Sequence, residues 1–197
     1  MRIIGLTGPS GAGKSLVCEH FKGLGIPSVN ADEVYHGLLV PPSPCLDALT
    51  DAFGKDILTE NGELSREKLS KIVFSDKDKL ELLNKTVLGF VLDKIREIIK
   101  GLEADGKASV IIDAPTLIES GFHKECNIVV SVLCPAECRI ERIIARDSLK
   151  RKAAEARINA QKPDEFYISH SDEIIINDAG EAELIAKADA LAKKLLL

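Results

Sequence analysis

Short, nearly all-apolar runs alternate along this chain with stretches in which apolar residues recur every three or four positions. The first pattern reads as strands buried in a parallel sheet and the second as amphipathic helices packed on it. Arg2 to Leu6 is the first strand, and Lys14 to Leu24 the helix after it, ending at Gly23 and Gly25. Ile26 to Asn30 is a second strand and Glu33 to Leu39 a short helix, after which Pro41-Pro42-Ser43-Pro44 is a stiff break. Helices are predicted over Cys45 to Phe53 and Ser65 to Phe74, with a turn at Glu60-Asn61-Gly62-Glu63 between them. A long helix over Asp76 to about Ala104 opens with Ser75 and Asp78 as a capping box. Its apolar stripe is Leu80, Leu83, Val87, Val91, Ile95 and Ile98. Ala108 to Asp113, Ile128 to Leu133 and Glu173 to Asp178 read as the remaining strands, with Pro135 opening a helix and Leu184 to Leu195 closing the chain as another. This order is that of an α/β fold, a doubly wound five-stranded parallel sheet. The helical stretch from about 41 to 104 is too long for a plain crossover and reads as an insertion.

At 197 residues the chain fits one domain, with its core in 1–40, 105–146 and 162–197 and a mobile segment at about 147–161. A 45% hydrophobic and 29% charged composition is that of a soluble globular protein, and no apolar run reaches the length that spans a bilayer. The net charge of −5 argues against a general nucleic-acid-binding surface. Cys18, Cys45, Cys126, Cys134 and Cys138 form no C-x-x-C pair and have no His at metal spacing, so they read as small apolar residues in a reducing compartment. A cytoplasmic location is expected, with no membrane and no nucleic-acid partner; oligomeric state is not legible.

The chemistry concentrates in Gly8-Pro9-Ser10-Gly11-Ala12-Gly13-Lys14-Ser15, the pattern G-x-x-x-x-G-K-[ST] between a strand and a helix. Gly8, Gly11 and Gly13 let consecutive N–H groups, with those of Ser10 and Ala12, turn inward at the electropositive end of the following helix, and a polyphosphate is the expected occupant. Lys14 lies along the β/γ-phosphates of that occupant in this reading, and the Ser15 hydroxyl takes one position on an octahedral Mg²⁺. Leu16 stands where many such loops carry a second hydroxyl, which leaves the α-phosphate to its backbone. The competing reading is a glycine-rich turn capping an ordinary helix.

Acidic residues close two of the strands. Asp32, after Asn30-Ala31, either accepts the proton of an acceptor hydroxyl or caps the helix that follows, and the two roles are compatible. Asp113 is either part of the Mg²⁺ shell, directly or through water, or a turn residue. Farther on, Arg139, Arg142, Arg146, Lys150, Arg151, Lys152 and Arg157 cluster in an otherwise acidic chain. Lys150, Arg151 and Lys152 read as a solvated face. Arg142 and Arg146, four apart on one helix face, read as guanidinium donors that a closing lid over about 147–161 brings to a migrating phosphoryl group.

No guanine-reading N-K-x-D is present, since Asn84-Lys85-Thr86-Val87 lacks the Asp, and no D-x-x-G follows a strand; a small-molecule kinase fits the chain better than a nucleotide switch. Several motifs in order then resemble the dephospho-coenzyme A kinase family. They are Gly5-Leu6-Thr7-Gly8 with the loop above, Asn30-Ala31-Asp32, Phe53-Gly54-Lys55-Asp56-Ile57-Leu58, Arg66-Glu67-Lys68-Leu69 and Val73-Phe74. Asp113-Ala114-Pro115-Thr116-Leu117-Ile118-Glu119-Ser120-Gly121, then Arg142, Arg146-Asp147 and Arg157-Ile158-Asn159-Ala160-Gln161, and finally Ile175-Ile176-Asn177-Asp178-Ala179-Gly180 complete the set. The chain departs from the family at Leu88-Gly89, where a His-Pro pair is usual, at Thr116, where a leucine is usual, and at Leu16. The resemblance implies a P-loop NTPase-type sheet with a helical acceptor-side insertion, ATP and Mg²⁺, and phosphorylation of the ribose 3′-hydroxyl of dephospho-coenzyme A. It also implies Lys14, Asp32, Arg142 and Arg146 as catalytic residues and Asn177 on the adenine side. Other small-molecule kinases, for nucleoside monophosphates or hydroxy acids, and a nucleotide-binding regulator are the alternatives.

Overall fold

The strand β1 (Arg2–Thr7) is buried along its last four residues and lies at the middle of a five-stranded parallel sheet of order β2-β3-β1-β4-β5. The remaining strands are β2 (Ser28–Asn30), β3 (Ser109–Asp113), β4 (Ile128–Leu133) and β5 (Glu173–Ile176). The computed structural model describes residues 1–73 and 76–196. β1 pairs in parallel with β3 on one side and β4 on the other, Leu6 facing Asp113 and Thr7 facing Ser131. The chain leaves β1 toward β2 and β3 and later returns on its other side as β4, so the carboxyl end of β1 is a topological switch point, where open α/β sheets bind ligands. The doubly wound expectation is met.

The apolar periodicity is what seats the helices. Val17, Cys18 and Phe21 of α1 (Lys14–Gly23) join Leu184, Ala188, Leu191 and Leu195 of α9 (Glu181–Leu196) over Ile4, Leu6, Val130 and Val132 in one core. α6 (Ala136–Asp147) and α7 (Arg151–Asn159) share a smaller core of Ile140, Ile143 and Ala154 with Ile144, Leu149 and Ile158 against it. Between them Ser148 takes a left-handed conformation, φ 53°, which ends α6 and redirects the chain. A short helix not anticipated from the sequence, α8 (Asp164–Ile168), follows Pro163 and buries Tyr167 beside Ile118 and Leu133.

The chain divides into two compact units, Met1–Val29 with Leu102–Leu197, and Asn30–Gly101. The second unit holds α2 (Ala31–Gly37), α3 (Pro44–Phe53), α4 (Arg66–Val73) and most of α5 (Lys77–Ala104). Its own core is Leu39, Cys45, Leu49, Ile57, Leu69 and Val73, with Leu80, Leu83 and Val87 of the expected α5 stripe packed on it. Ser43 caps α3 through Leu46 N–H, as the Ser-Pro sequence favours. Phe74 and Ser75 lie outside the described residues, and with them the capping box read at Ser75. The Asp76 carboxylate accepts from the N–H groups of Asp78 and Lys79 and so caps α5.

Candidate active site

Backbone geometry makes the loop between β1 and α1. Gly8 has φ 137°, and a Cβ there would lie 2.2 Å from the Val132 carbonyl of β4. Gly13 has φ 107°, and its Cβ would meet the Asn177 amide at 2.5 Å. Both positions therefore need glycine for conformation and for space at once. Leu16 and Val17 N–H groups turn back to the Gly13 carbonyl, which starts the helix. The N–H groups of Lys14 and Ser15, ahead of that first helical bond, have no acceptor among the described residues, as an anion-binding helix N-terminus requires.

Lys14 Nζ lies 2.9 Å from Asp113 Oδ1, and both side chains are largely buried. The pairing follows from register, since Leu6 faces Asp113 across the sheet and the loop begins two residues beyond Leu6. Ser15 is exposed at the first turn of α1. A Ser hydroxyl and an Asp carboxylate are hard oxygen donors that suit Mg²⁺, and the described residues hold no group of three or more His, Cys, Asp or Glu that could form a protein cage.

Three arginines on one face of α6 converge on the loop from its other side. Arg142 Nη1 donates to the carbonyls of Gly11 at 3.2 Å and Ala12 at 3.4 Å, and its Nη2 to Asn177 Oδ1 at 3.3 Å. Arg142 is thus committed to the loop backbone from α6 itself. Arg146 is exposed, gripping Asp147 in two bonds, with its Nη2 3.5 Å from Ser10 Oγ. Arg146, and then Arg157, hold the Asp147 carboxyl below the usual carboxylate range. Lys150, Arg151 and Lys152 are exposed, as read. Arg139, which sequence reasoning left in the basic run without a role, is buried, and its Nε donates to Ser10 O at 3.1 Å. Its spacing of three and seven from Arg142 and Arg146 is the signal that could have found it.

Asn177, expected beside an adenine, is buried at the carboxyl end of β5, where its N–H continues the ladder to Leu133 O. Its side chain is spent on the loop: Nδ2 donates to Ala12 O at 2.7 Å while Oδ1 accepts from Arg142. Leu16 packs against the central core. In the second unit Asp32 is exposed in the first turn of α2, and the cap expected of it belongs to Asn30, whose Oδ1 accepts from the N–H groups of Asp32 and Glu33. The helix begins at Ala31, two residues earlier than the periodicity suggested, because Asn30 can cap as soon as β2 ends. Among the described residues the Asp32 carboxylate has no hydrogen-bond partner.

No helix among the described residues is long and apolar enough to cross a membrane. A family profile described as dephospho-CoA kinase matches residues 2–183. A dephospho-CoA kinase of Carboxydothermus hydrogenoformans is 38% identical over 181 residues, covering 92% of this chain and 87% of the relative. Among solved structures, TT1252 from Thermus thermophilus superposes with a TM-score of 0.85 at 28% identity, covering 100% of this chain and 98% of that one. The dephospho-CoA kinase from Campylobacter jejuni does so with a TM-score of 0.75 at 27% identity, covering 99% and 98%. With its glycine loop, its Lys14–Asp113 pair and a match along nearly its whole length, the chain belongs to the dephospho-CoA kinase family of ATP-dependent phosphotransferases.

Proposed function

We propose that this chain transfers the γ-phosphoryl group of ATP to the ribose 3′-hydroxyl of dephospho-coenzyme A, giving coenzyme A and ADP. The observation that carries the reading is the glycine loop with Lys14 held against Asp113 at the switch point of the sheet, in a chain of this family. The N–H groups at the start of α1 hold the phosphate chain of ATP, and Lys14 lies along its β/γ oxygens. Ser15 and Asp113 would hold Mg²⁺, which would supply positive charge against that developing on the phosphate oxygens. Asp32 accepts the proton of the 3′-hydroxyl as its oxygen bonds to the γ-phosphorus and the bond to the ADP oxygen breaks. Arg142 adds its charge beneath the loop, and Arg146, able to exchange Asp147 for a phosphate oxygen, meets the migrating group from outside. The segment 147–161 serves as the lid that excludes water as a competing acceptor.

Within the second unit, Val34, Leu38, Val40, Pro42 and Ile98 line a mostly apolar cavity beside α2, with Lys94 at its wall. That lining suits the aliphatic arm of the acceptor, on the helix that carries Asp32. Residence in the cytoplasm, a small-molecule partner and no nucleic-acid partner complete the reading.

Asp32→Asn keeps the shape of the side chain and removes the base. Phosphate transfer from labelled ATP to dephospho-coenzyme A, with the product site identified, is expected to lose about 10²–10⁴-fold in kcat with the KM for ATP nearly unchanged. A variant with near-normal turnover removes Asp32 from the mechanism, and transfer to another hydroxyl or acceptor overturns the substrate.

A further inference from the structure

We propose that Arg139 and Gln161 are positioning residues that clamp Ser10 between them and so set the backbone geometry of the phosphate loop from the lid's end. The inference rests on the reading of this loop as the cradle for the ATP phosphates, with the N–H groups of Ser10 and Ala12, which the sequence turned toward the phosphate, bonded instead to Gln161 Oε1 and to the Pro9 carbonyl.

Ser10 is held at both of its backbone polar groups. Its N–H donates to Gln161 Oε1 at 3.2 Å, and its carbonyl accepts from Arg139 Nε at 3.1 Å. The two side chains close the ring, Arg139 Nη2 donating to the same Gln161 Oε1 at 2.6 Å. Fixing the N–H and the carbonyl of one residue fixes its φ and ψ together, and the residues after Ser10 inherit their direction from those torsions. Arg139 bears on the next residue as well, since a Cβ on Gly11 would lie 2.9 Å from the Arg139 carbonyl.

The arginine is an expensive choice for mere packing. Its side chain is only 6% exposed, and its nearest carboxylate, Asp164 Oδ1, stands 3.8 Å from Nη1 with 46% exposure. A buried guanidinium with so loose a counter-ion is tolerated where directed hydrogen bonds use its N–H groups, and here they point at the loop and at Gln161. Gln161 is two residues beyond the end of α7, the helix of the segment read as a lid. Its amide oxygen is therefore the fixed point about which that segment meets the loop, and a displacement at residue 161 reaches Ser10 directly at its N–H and through Arg139 at its carbonyl.

Apolar replacement and its polar rescue decide the matter. Gln161→Met keeps length and removes the acceptor, whereas Gln161→Glu keeps an oxygen that accepts from both donors. Gln161→Met and Arg139→Met are each expected to lower kcat/KM for ATP about 10- to 100-fold while the acceptor KM stays within about twofold. Because the two act on one residue, the double variant is expected to be no worse than the poorer single one. Gln161→Glu is expected to recover ATP kinetics to within about threefold of the parent. A Gln161→Met protein with parental ATP kinetics, effects that multiply in the double variant, or a loss that Gln161→Glu fails to recover would each overturn the clamp. If Arg139→Met does not fold, the Gln161 pair, at a half-buried position, decides alone, with circular dichroism showing that both proteins are native. Lys14→Ala serves as the separate control. If it leaves ATP binding intact, the cradle reading itself fails; if it abolishes binding while Gln161→Met is silent, only the clamp does.

Discussion

Replacing Asn177 by Ala tests whether this residue braces the phosphate loop. The residue is 3% exposed, and its side chain makes a 2.7 Å donation to Ala12 O and a 3.3 Å acceptance from Arg142 Nη2. Truncation leaves the Ala12 carbonyl with only the long 3.4 Å contact from Arg142 Nη1. An under-satisfied buried carbonyl costs about 1–3 kcal/mol, and the small void left by the amide about 1 kcal/mol more. A loss of about 2–4 kcal/mol corresponds, for a chain of this size, to a fall in Tm of about 4–16 °C. Asn177→Asp sharpens the test, since it keeps an oxygen toward Arg142 but turns a second acceptor on the Ala12 carbonyl; it is expected to be at least as unstable as the alanine variant. Differential scanning calorimetry with steady-state kinetics reads both consequences: a lower Tm, and an ATP KM raised severalfold with the acceptor KM unchanged. A Tm within about 2 °C of the parent and an unaltered ATP KM would refute the bracing role.

Asp113→Asn removes the charge that faces Lys14 and, in the proposed site, an oxygen donor to Mg²⁺; the Mg²⁺ concentration for half-maximal activity is expected to rise about 10- to 100-fold, and an unshifted Mg²⁺ titration would exclude Asp113 from the metal shell. Burial, with Glu125 and Asp172 adding repulsion, pushes the Cys126 thiol from 9.0 up to about 12. Between those values the unfolded chain releases this proton and the folded chain keeps it, so stability is fully present below the lower pH and falls as pH rises. Urea midpoints at pH 8 and pH 10 are expected to fall less in Cys126→Ala than in the parent, whatever the variant's neutral stability; equal declines would show that the thiol is ordinary.

The strand-loop-helix signal at residues 3–21 and the stripes of α5 and α9 were legible from the chain because each is a local pattern. A glycine loop needs its backbone to turn, a buried strand needs an unbroken apolar run, and an amphipathic helix needs its period, whatever lies across the fold. The same locality explains the misplacement of the α2 cap, where Asn30 and Asp32 are both good caps and only the point at which β2 releases the chain chooses between them.

What tertiary structure alone decided is the company the loop keeps. Lys14 meets Asp113 through strand register, across 99 positions of sequence, and Asn177 reaches Ala12 across 165. Arg139 and Gln161 meet at Ser10 because α6 and α7 pack through Ile140, Ile143, Ala154 and Ile158, residues that carry no chemistry of their own. A motif states which atoms a phosphate would need, since that demand is written into consecutive residues. Which distant side chains hold those atoms still is set by burial and by hydrogen bonds that must be satisfied once the sheet has closed, and no local pattern encodes them.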